Sequence, residues 1–167
     1  MKRQLLQEIL ALKDLDRAGW LRVGIQNPES VAAHSWGVAM LALLLTPEHL
    51  DRERVLALAI LHDLPEVRVG DITPHDGVTG EEKTRRESQA AAELLVDFPH
   101  LHALWLEYTQ RESAEARFVH QLDKLDMGLQ AQTYARSQGR DTSEFVESAS
   151  ATVTGELLNL MRDPSSG

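Results

Sequence analysis

Val55-Leu56-Ala57-Leu58-Ala59-Ile60-Leu61-His62-Asp63-Leu64-Pro65-Glu66 decides how the rest of the chain is read. The run from Val55 to Leu61 is apolar all round, the pattern of a helix buried at the centre of a domain. Asp51 can cap this helix, which is expected to extend to about Glu66. It carries an adjacent histidine and aspartate to the edge of the core, and Glu66 and Asp71 add two carboxylates within nine residues. Burying four such groups is costly unless something positive holds them together. A metal ion is the economical candidate.

Adjacent helical residues point about 100° apart. His62 and Asp63 can therefore share an ion only in the wedge between them, with other helices supplying the remaining ligands. His34 upstream and Asp123 downstream complete a set of two imidazoles and two carboxylates. Such a set suits Mn, Co, Fe, Ni or Zn, with Mg also open, and is less typical of calcium. A six-coordinate ion held by four protein ligands keeps about two positions for water and substrate.

Outward from this stretch the pattern stays helical. Leu5, Leu6, Ile9, Leu12 and Leu15 share one helical face over residues 2–16, and Asp16 to Gln26 reads as irregular, broken by Gly19 and Gly24. Asn27-Pro28 resembles a cap with proline at the first helical position, opening a helix that ends near Thr46-Pro47 and holds His34 in its first turns. Val69 to Gly80 is a loop, and Thr79 with Glu82 fits a capping box before a charged helix to about Val96. A short helix runs from Leu101 to Tyr108. Ser113 caps a long helix whose Phe118, Leu122, Leu125 and Leu129 repeat at four, three and four residues, with Asp123 beside that stripe. A last amphipathic helix covers about 142–162, and Asp163 to Gly167 is expected to fray. No β-alternation of useful length occurs. The expectation is one all-α domain over 1–167, a bundle of six to seven helices with its core at about 17–135.

Composition narrows the function. The chain has 167 residues, 43% of them hydrophobic, enough for one continuous core. It has no cysteine, so any metal is held by nitrogen and oxygen. A net charge of −9 with no basic stripe argues against a nucleic-acid polymer, yet leaves room for a small anion held by local positive charge. The polar start, Met1-Lys2-Arg3-Gln4, does not look like a signal peptide, and the run Val38 to Leu45 is too short to span a bilayer. No membrane partner and a cytoplasmic location are expected.

His34 … His62-Asp63 … Asp123 resembles the H…HD…D signature of the HD-domain metal-dependent phosphohydrolases. The longer matches Asn27-Pro28-Glu29-Ser30-Val31-Ala32-Ala33-His34, His62-Asp63-Leu64-Pro65-Glu66, Gly70-Asp71-Ile72 and Gln121-Leu122-Asp123 resemble its 5′-deoxynucleotidase branch. The likeness runs from Arg17 to about Tyr134. It implies a helical fold, commonly a homodimer, and removal of phosphate from deoxyribonucleoside 5′-monophosphates. By the same resemblance Glu66 and Asp71 place substrate and the attacking water, and Trp20 lines the substrate pocket. Some bacterial members carry a phosphate-binding arginine directly before that tryptophan. This chain has Gly19 there, leaving Arg17 and Arg22 as replacements, and Arg17-x-Gly19-Trp20 resembles the eukaryotic and archaeal members.

Lys83, Arg85 and Arg86 form a basic cluster whose ordinary role is a solvated face, although Lys83 can approach substrate. His49, His75, His100, His102 and His120 fall outside the signature and read as surface or core, and Trp105 and Tyr108 as packing or dimer contacts. Alternatives to a deoxynucleotidase are a catalytically silent metal- or nucleotide-binding scaffold and a phosphohydrolase for another small phosphate ester or a nucleoside triphosphate. Glu66 and Asp71 favour an enzyme, and which of them handles the water is left open.

Overall fold

The computed structural model describes residues 2–162; the tail from Asp163 to Gly167 lies outside the described residues. Among these the regular elements are helical, joined by one isolated antiparallel bridge between Asp16 and Ser30. Helix α1 (Lys2–Leu10) tightens into a 3-10 turn at Ala11–Asp14. The segment expected to be irregular holds a short helix, α2 (Ala18–Arg22).

Helix α3 (Val31–Leu45) starts later than Asn27-Pro28 suggests. Ser30 is the capping residue, its Oγ accepting from the Ala33 N–H at 3.1 Å, while Asn27 sits in a left-handed conformation at φ 47°. The reason is tertiary. The Arg17 N–H donates to the Glu29 carbonyl and the Val31 N–H to the Leu15 carbonyl, which keeps the segment before Val31 extended.

Helix α4 (Arg52–Leu61) is capped by Asp51 as expected, but it stops at Leu61 instead of continuing to Glu66. Pro65 lacks an N–H and disfavours helical backbone at Leu64. His62 to Pro65 form tight turns, and the four-residue helix α5 (Glu66–Val69) follows, closed by Gly70 at φ 81°. His62 itself finishes α4: its Nδ1–H donates to the Ala59 carbonyl at 2.7 Å, one of the acceptors a helix end leaves open. The helix was expected to be buried all round, yet Ile60 is exposed while Val55, Leu58 and Ala59 are buried.

Helix α6 (Gly80–Leu94) is capped by the Thr79 side chain, which accepts from the Glu82 N–H. Helix α7 (Pro99–Gln110) begins on the proline. The long helix α8 (Ala114–Gln138) starts at the predicted cap, Ser113. The expected last helix is two, α9 (Ser143–Thr152) and α10 (Gly155–Met161), separated by extended Val153 and Thr154. There Thr154 gives both its N–H and its hydroxyl to Gln121 Oε1. Short segments and this break account for helices beyond the six to seven expected.

Helix α8 is the spine. It packs against α3, α4, α7, α9 and α10. Its buried Val119, Leu122 and Leu125 meet Val38, Val55 and Leu58 in the main core. A smaller cluster of Leu61, Leu64, Leu94 and Trp105 supports the turns after α4. His34 and Asp123 thus come from helices α3 and α8 and His62 from the C-terminal cap of α4, all three elements gripping one core, which fixes them more firmly than a long loop would.

Candidate metal centre

His34 Nε2, His62 Nε2 and an Asp123 carboxylate oxygen lie within 4.8 Å of one another. Asp63 Oδ2 is 3.1 Å from His62 Nε2 and 3.7 Å from His34 Nε2, and Asp123 Oδ1 is 3.0 Å from His34 Nε2. The structure therefore brings together the four residues read from the sequence as candidate ligands, with Asp63 beside the cluster formed by His34, His62 and Asp123. His62 commits its Nδ1–H to Ala59, so its Nε2 presents a lone pair. That lone pair faces His34 Nε2 at 3.3 Å, with two carboxylates beside them. Such an arrangement calls for positive charge at its centre. Its nitrogen and oxygen donors fit a divalent transition metal.

The ionisation of the cluster carries the same demand. Burial and Arg17 oppose a charged His34, but Asp123 and Asp126 outweigh both and push the imidazole up to about 9. A proton thus serves where no cation does. Burial opposes charge on Asp63, yet His62 and His34 hold its carboxyl well below the usual range. Asp123 is likewise held low against burial, by Lys124 and His34. Lys124 Nζ lies 3.2 Å from Asp123 Oδ2.

A cleft of about 510 Å³ opens over these groups, within the range of small-molecule sites. Glu66 lines it at 4% exposure, and its Oε2 has no hydrogen-bond partner among the described residues. Burial, then the charges of Asp63 and Asp71, push this carboxyl well up. Asp71 is differently held. Its Oδ2 accepts from the Ala18 N–H at 2.7 Å and its Oδ1 lies 4.0 Å from Arg17 Nη1. Arg17 also lies 3.8 Å from Asp63 Oδ2; burial disfavours its charge, but Asp63 and Asp71 more than offset that.

The remaining expected residues reach the cleft in unequal ways. Arg22 is committed to Glu144 at the rim, 2.5 Å away. Lys83 turns inward, donating to the Ile72 carbonyl at 2.9 Å, while Arg85 and Arg86 pair with Glu82 on the solvated face. Trp20 lines the cleft but is only 1% exposed. It packs against Phe145 at 4.4 Å and Tyr134 at 5.3 Å, and its Nε1–H donates to Glu29. Much of its role is packing.

Several residues at the site were not singled out from the sequence. Asp126 Oδ2 accepts from His34 Nδ1 at 2.7 Å; the Asp123-x-x-Asp126 spacing, one helical face, was the available signal. Tyr108, which the sequence assigns to packing or a dimer contact, stacks edge-on against His62 at 5.4 Å and lines the cleft; His75 and His120, which fall outside the signature and read as surface or core, line it too. Trp105 is a packing residue as read, buried with its Nε1–H on the His62 carbonyl.

Comparison with known proteins places these features in a family. A family model described as HD domain matches residues 9–161. A 5′-deoxynucleotidase HDDC2 of Bos taurus is 44% identical over 136 residues, 78% of this chain and 66% of that protein. The chain thus matches about two thirds of that relative's length. The 5′-deoxynucleotidase hdd1 of Schizosaccharomyces pombe is 38% identical over 88% of this chain and 77% of its own length. Among solved structures, the PH0347 protein of Pyrococcus horikoshii superposes with a TM-score of 0.83 at 35% identity, covering 95% of this chain and 96% of that one.

Proposed function

The chain belongs to the HD domain family, and on that premise we propose that it is a metal-dependent 5′-nucleotidase, converting deoxyribonucleoside 5′-monophosphates to deoxynucleosides and phosphate. The observation that carries the reading is the convergence on one cleft of His62, Asp63, Asp123, Arg17 and a Glu66 whose Oε2 has no hydrogen-bond partner among the described residues, with His34 buried behind them against His62 and Asp123. Relatives named 5′-deoxynucleotidase support the substrate class.

In this reading His34, His62, Asp63 and Asp123 would hold one divalent ion, drawn from Mn, Co, Fe, Ni, Zn and Mg. Such an ion, when bound, would supply Lewis-acid stabilisation of the phosphoryl oxygens and would lower the pKa of water at the site. Arg17 binds the phosphoryl group and offsets charge that builds on its oxygens. Asp71, fixed by the Ala18 N–H, orients Arg17. Glu66, whose Oε2 has no hydrogen-bond partner among the described residues, takes the proton of the attacking water. As the bond from phosphorus to the sugar 5′ oxygen breaks, that proton passes to the departing oxygen. Lys83 and Arg22 extend the positive lining, and Trp20 stiffens the wall beside the sugar.

A homodimer and a cytoplasmic location belong to the same reading. Trp36 and Leu44, at 68% and 72% exposure, lie about two turns apart on α3 and form an apolar face that a second copy would cover. Among the described residues no helix is long and apolar enough to cross a membrane.

The test is phosphate release from a panel of nucleoside mono-, di- and triphosphates with Mn, Co, Mg and Zn. Release confined to deoxyribonucleoside monophosphates is expected. Release only from triphosphates would redirect the substrate class, and no release from any would favour a silent binding module.

A further inference from the structure

We propose that Asp126 is the positioning residue of the metal centre: its carboxylate fixes His34 in the tautomer that presents Nε2 to a cation, and Gly37 exists to give that carboxylate room. The proposal rests on the metal-site reading of His34 and adds residues outside the ligand set.

His34 is fully buried, and each of its two ring nitrogens faces a carboxylate. Asp123 Oδ1 lies 3.0 Å from Nε2 and Asp126 Oδ2 lies 2.7 Å from Nδ1. The two aspartates are three apart on α8, so one helical face addresses both sides of the imidazole. With Nδ1–H donated to Asp126, the Nε2 lone pair is left for the cation. The anionic acceptor also raises the basicity of the ligand, as carboxylates behind metal-bound histidines do. His62 reaches the same tautomer by a different route, through the Ala59 carbonyl.

Gly37 supplies the independent observation. It lies three residues after His34, inside α3, where glycine costs about 1 kcal/mol relative to alanine. A Cβ built there would stand 2.2 Å from Asp126 Oδ1 and 3.1 Å from its Cγ. No ordinary side chain fits while Asp126 keeps its place. The close approach of α8 to α3 at this point therefore depends on the missing Cβ, and what occupies the space is the carboxylate that grips His34.

The experiment measures Co²⁺ affinity by competition with a chromophoric chelator, for wild type, Asp126→Asn, Gly37→Ala and the double variant. Melting of the metal-free proteins is followed in parallel. Asp126→Asn keeps the shape but loses the anion, and is expected to bind Co²⁺ about 10- to 100-fold more weakly. Gly37→Ala, by displacing the same carboxylate, should fall in that range, and the double variant should be no weaker than the worse single one, since both act through one contact. Wild-type affinity in Asp126→Asn, whatever its melting temperature, would overturn the assignment and leave Asp126 a helix–helix clasp. Additive losses in the double variant would overturn the role of Gly37. Failure of the wild type itself to bind Co²⁺ would instead overturn the metal-site reading beneath the proposal.

Discussion

Glu66→Gln should make the metal-free protein more stable and the enzyme far less active. The Glu66 carboxyl is 4% exposed with an unpartnered Oε2, and burial together with Asp63 and Asp71 raises its pKa well above the ordinary value. The folded protein therefore binds this proton more tightly than the unfolded chain does. The associated stability is complete below the unfolded pKa, near 4.5, and is lost as pH rises through the folded value. Glutamine is neutral throughout and suffers no such loss. Each unit of the shift is worth about 1.4 kcal/mol, or about 3–6 °C of melting temperature for a chain of this size. Melting of chelator-treated wild type and variant from pH 5 to pH 8 tests this: the variant's advantage should widen as pH rises. A pH-independent cost of the buried amide would displace the whole curve without removing that trend. Turnover of the metal-loaded variant should fall by about 10²- to 10⁴-fold, the scale of a lost acid–base group. A melting difference that stays flat with pH, or turnover within about threefold of wild type, would refute the reasoning.

Other expectations follow from the same geometry. Arg17→Ala should raise KM for a monophosphate and lower kcat, whereas Arg22→Ala, which removes a guanidinium already paired with Glu144, should change either by no more than a fewfold; steady-state kinetics on both variants decides between them. Metal affinity should rise about tenfold per pH unit and level off near pH 9, because the cation displaces a proton from a His34 whose pKa is pushed up to about 9; chelator competition across pH 6–10 reads this. Trp20→Ala should cost about 3–5 kcal/mol of stability, given its contacts with Tyr134 and Phe145. In protein still folded, it should also narrow the kcat/KM gap between dAMP and AMP, a gap of about 10² if set by an apolar wall.

What the sequence showed and what it hid divide along one physical line. Ser113 and Asp51 were readable as caps because a cap bonds within three residues, and the α8 stripe because helical periodicity is local. The candidate metal cluster is legible because its donor types are few and their order is distinctive. The start of α3 was misplaced because extended backbone is imposed there by Leu15 and Arg17, distant in sequence from the Ser30 cap. Asp126 was missed for the same reason: its partner His34 lies 92 residues away. The break between α9 and α10 depends on Gln121, on another helix. Glu66 is legible in the sequence as a candidate site residue, but that its Oε2 lacks a hydrogen-bond partner among the described residues depends on the turns after α4.

Stripping the protein with chelator and restoring one metal at a time shows whether one metal-dependent cleft removes the 5′-phosphate of a deoxynucleotide. With dAMP as substrate, the predicted result is no turnover when stripped, and deoxyadenosine and phosphate released in equal amounts once Mn²⁺ or Co²⁺ is returned. Asp63→Asn, which lacks an anionic ligand, should retain helix content but neither hold the metal nor regain activity. Undiminished turnover in the stripped enzyme, or full metal content and activity in Asp63→Asn, would contradict the account.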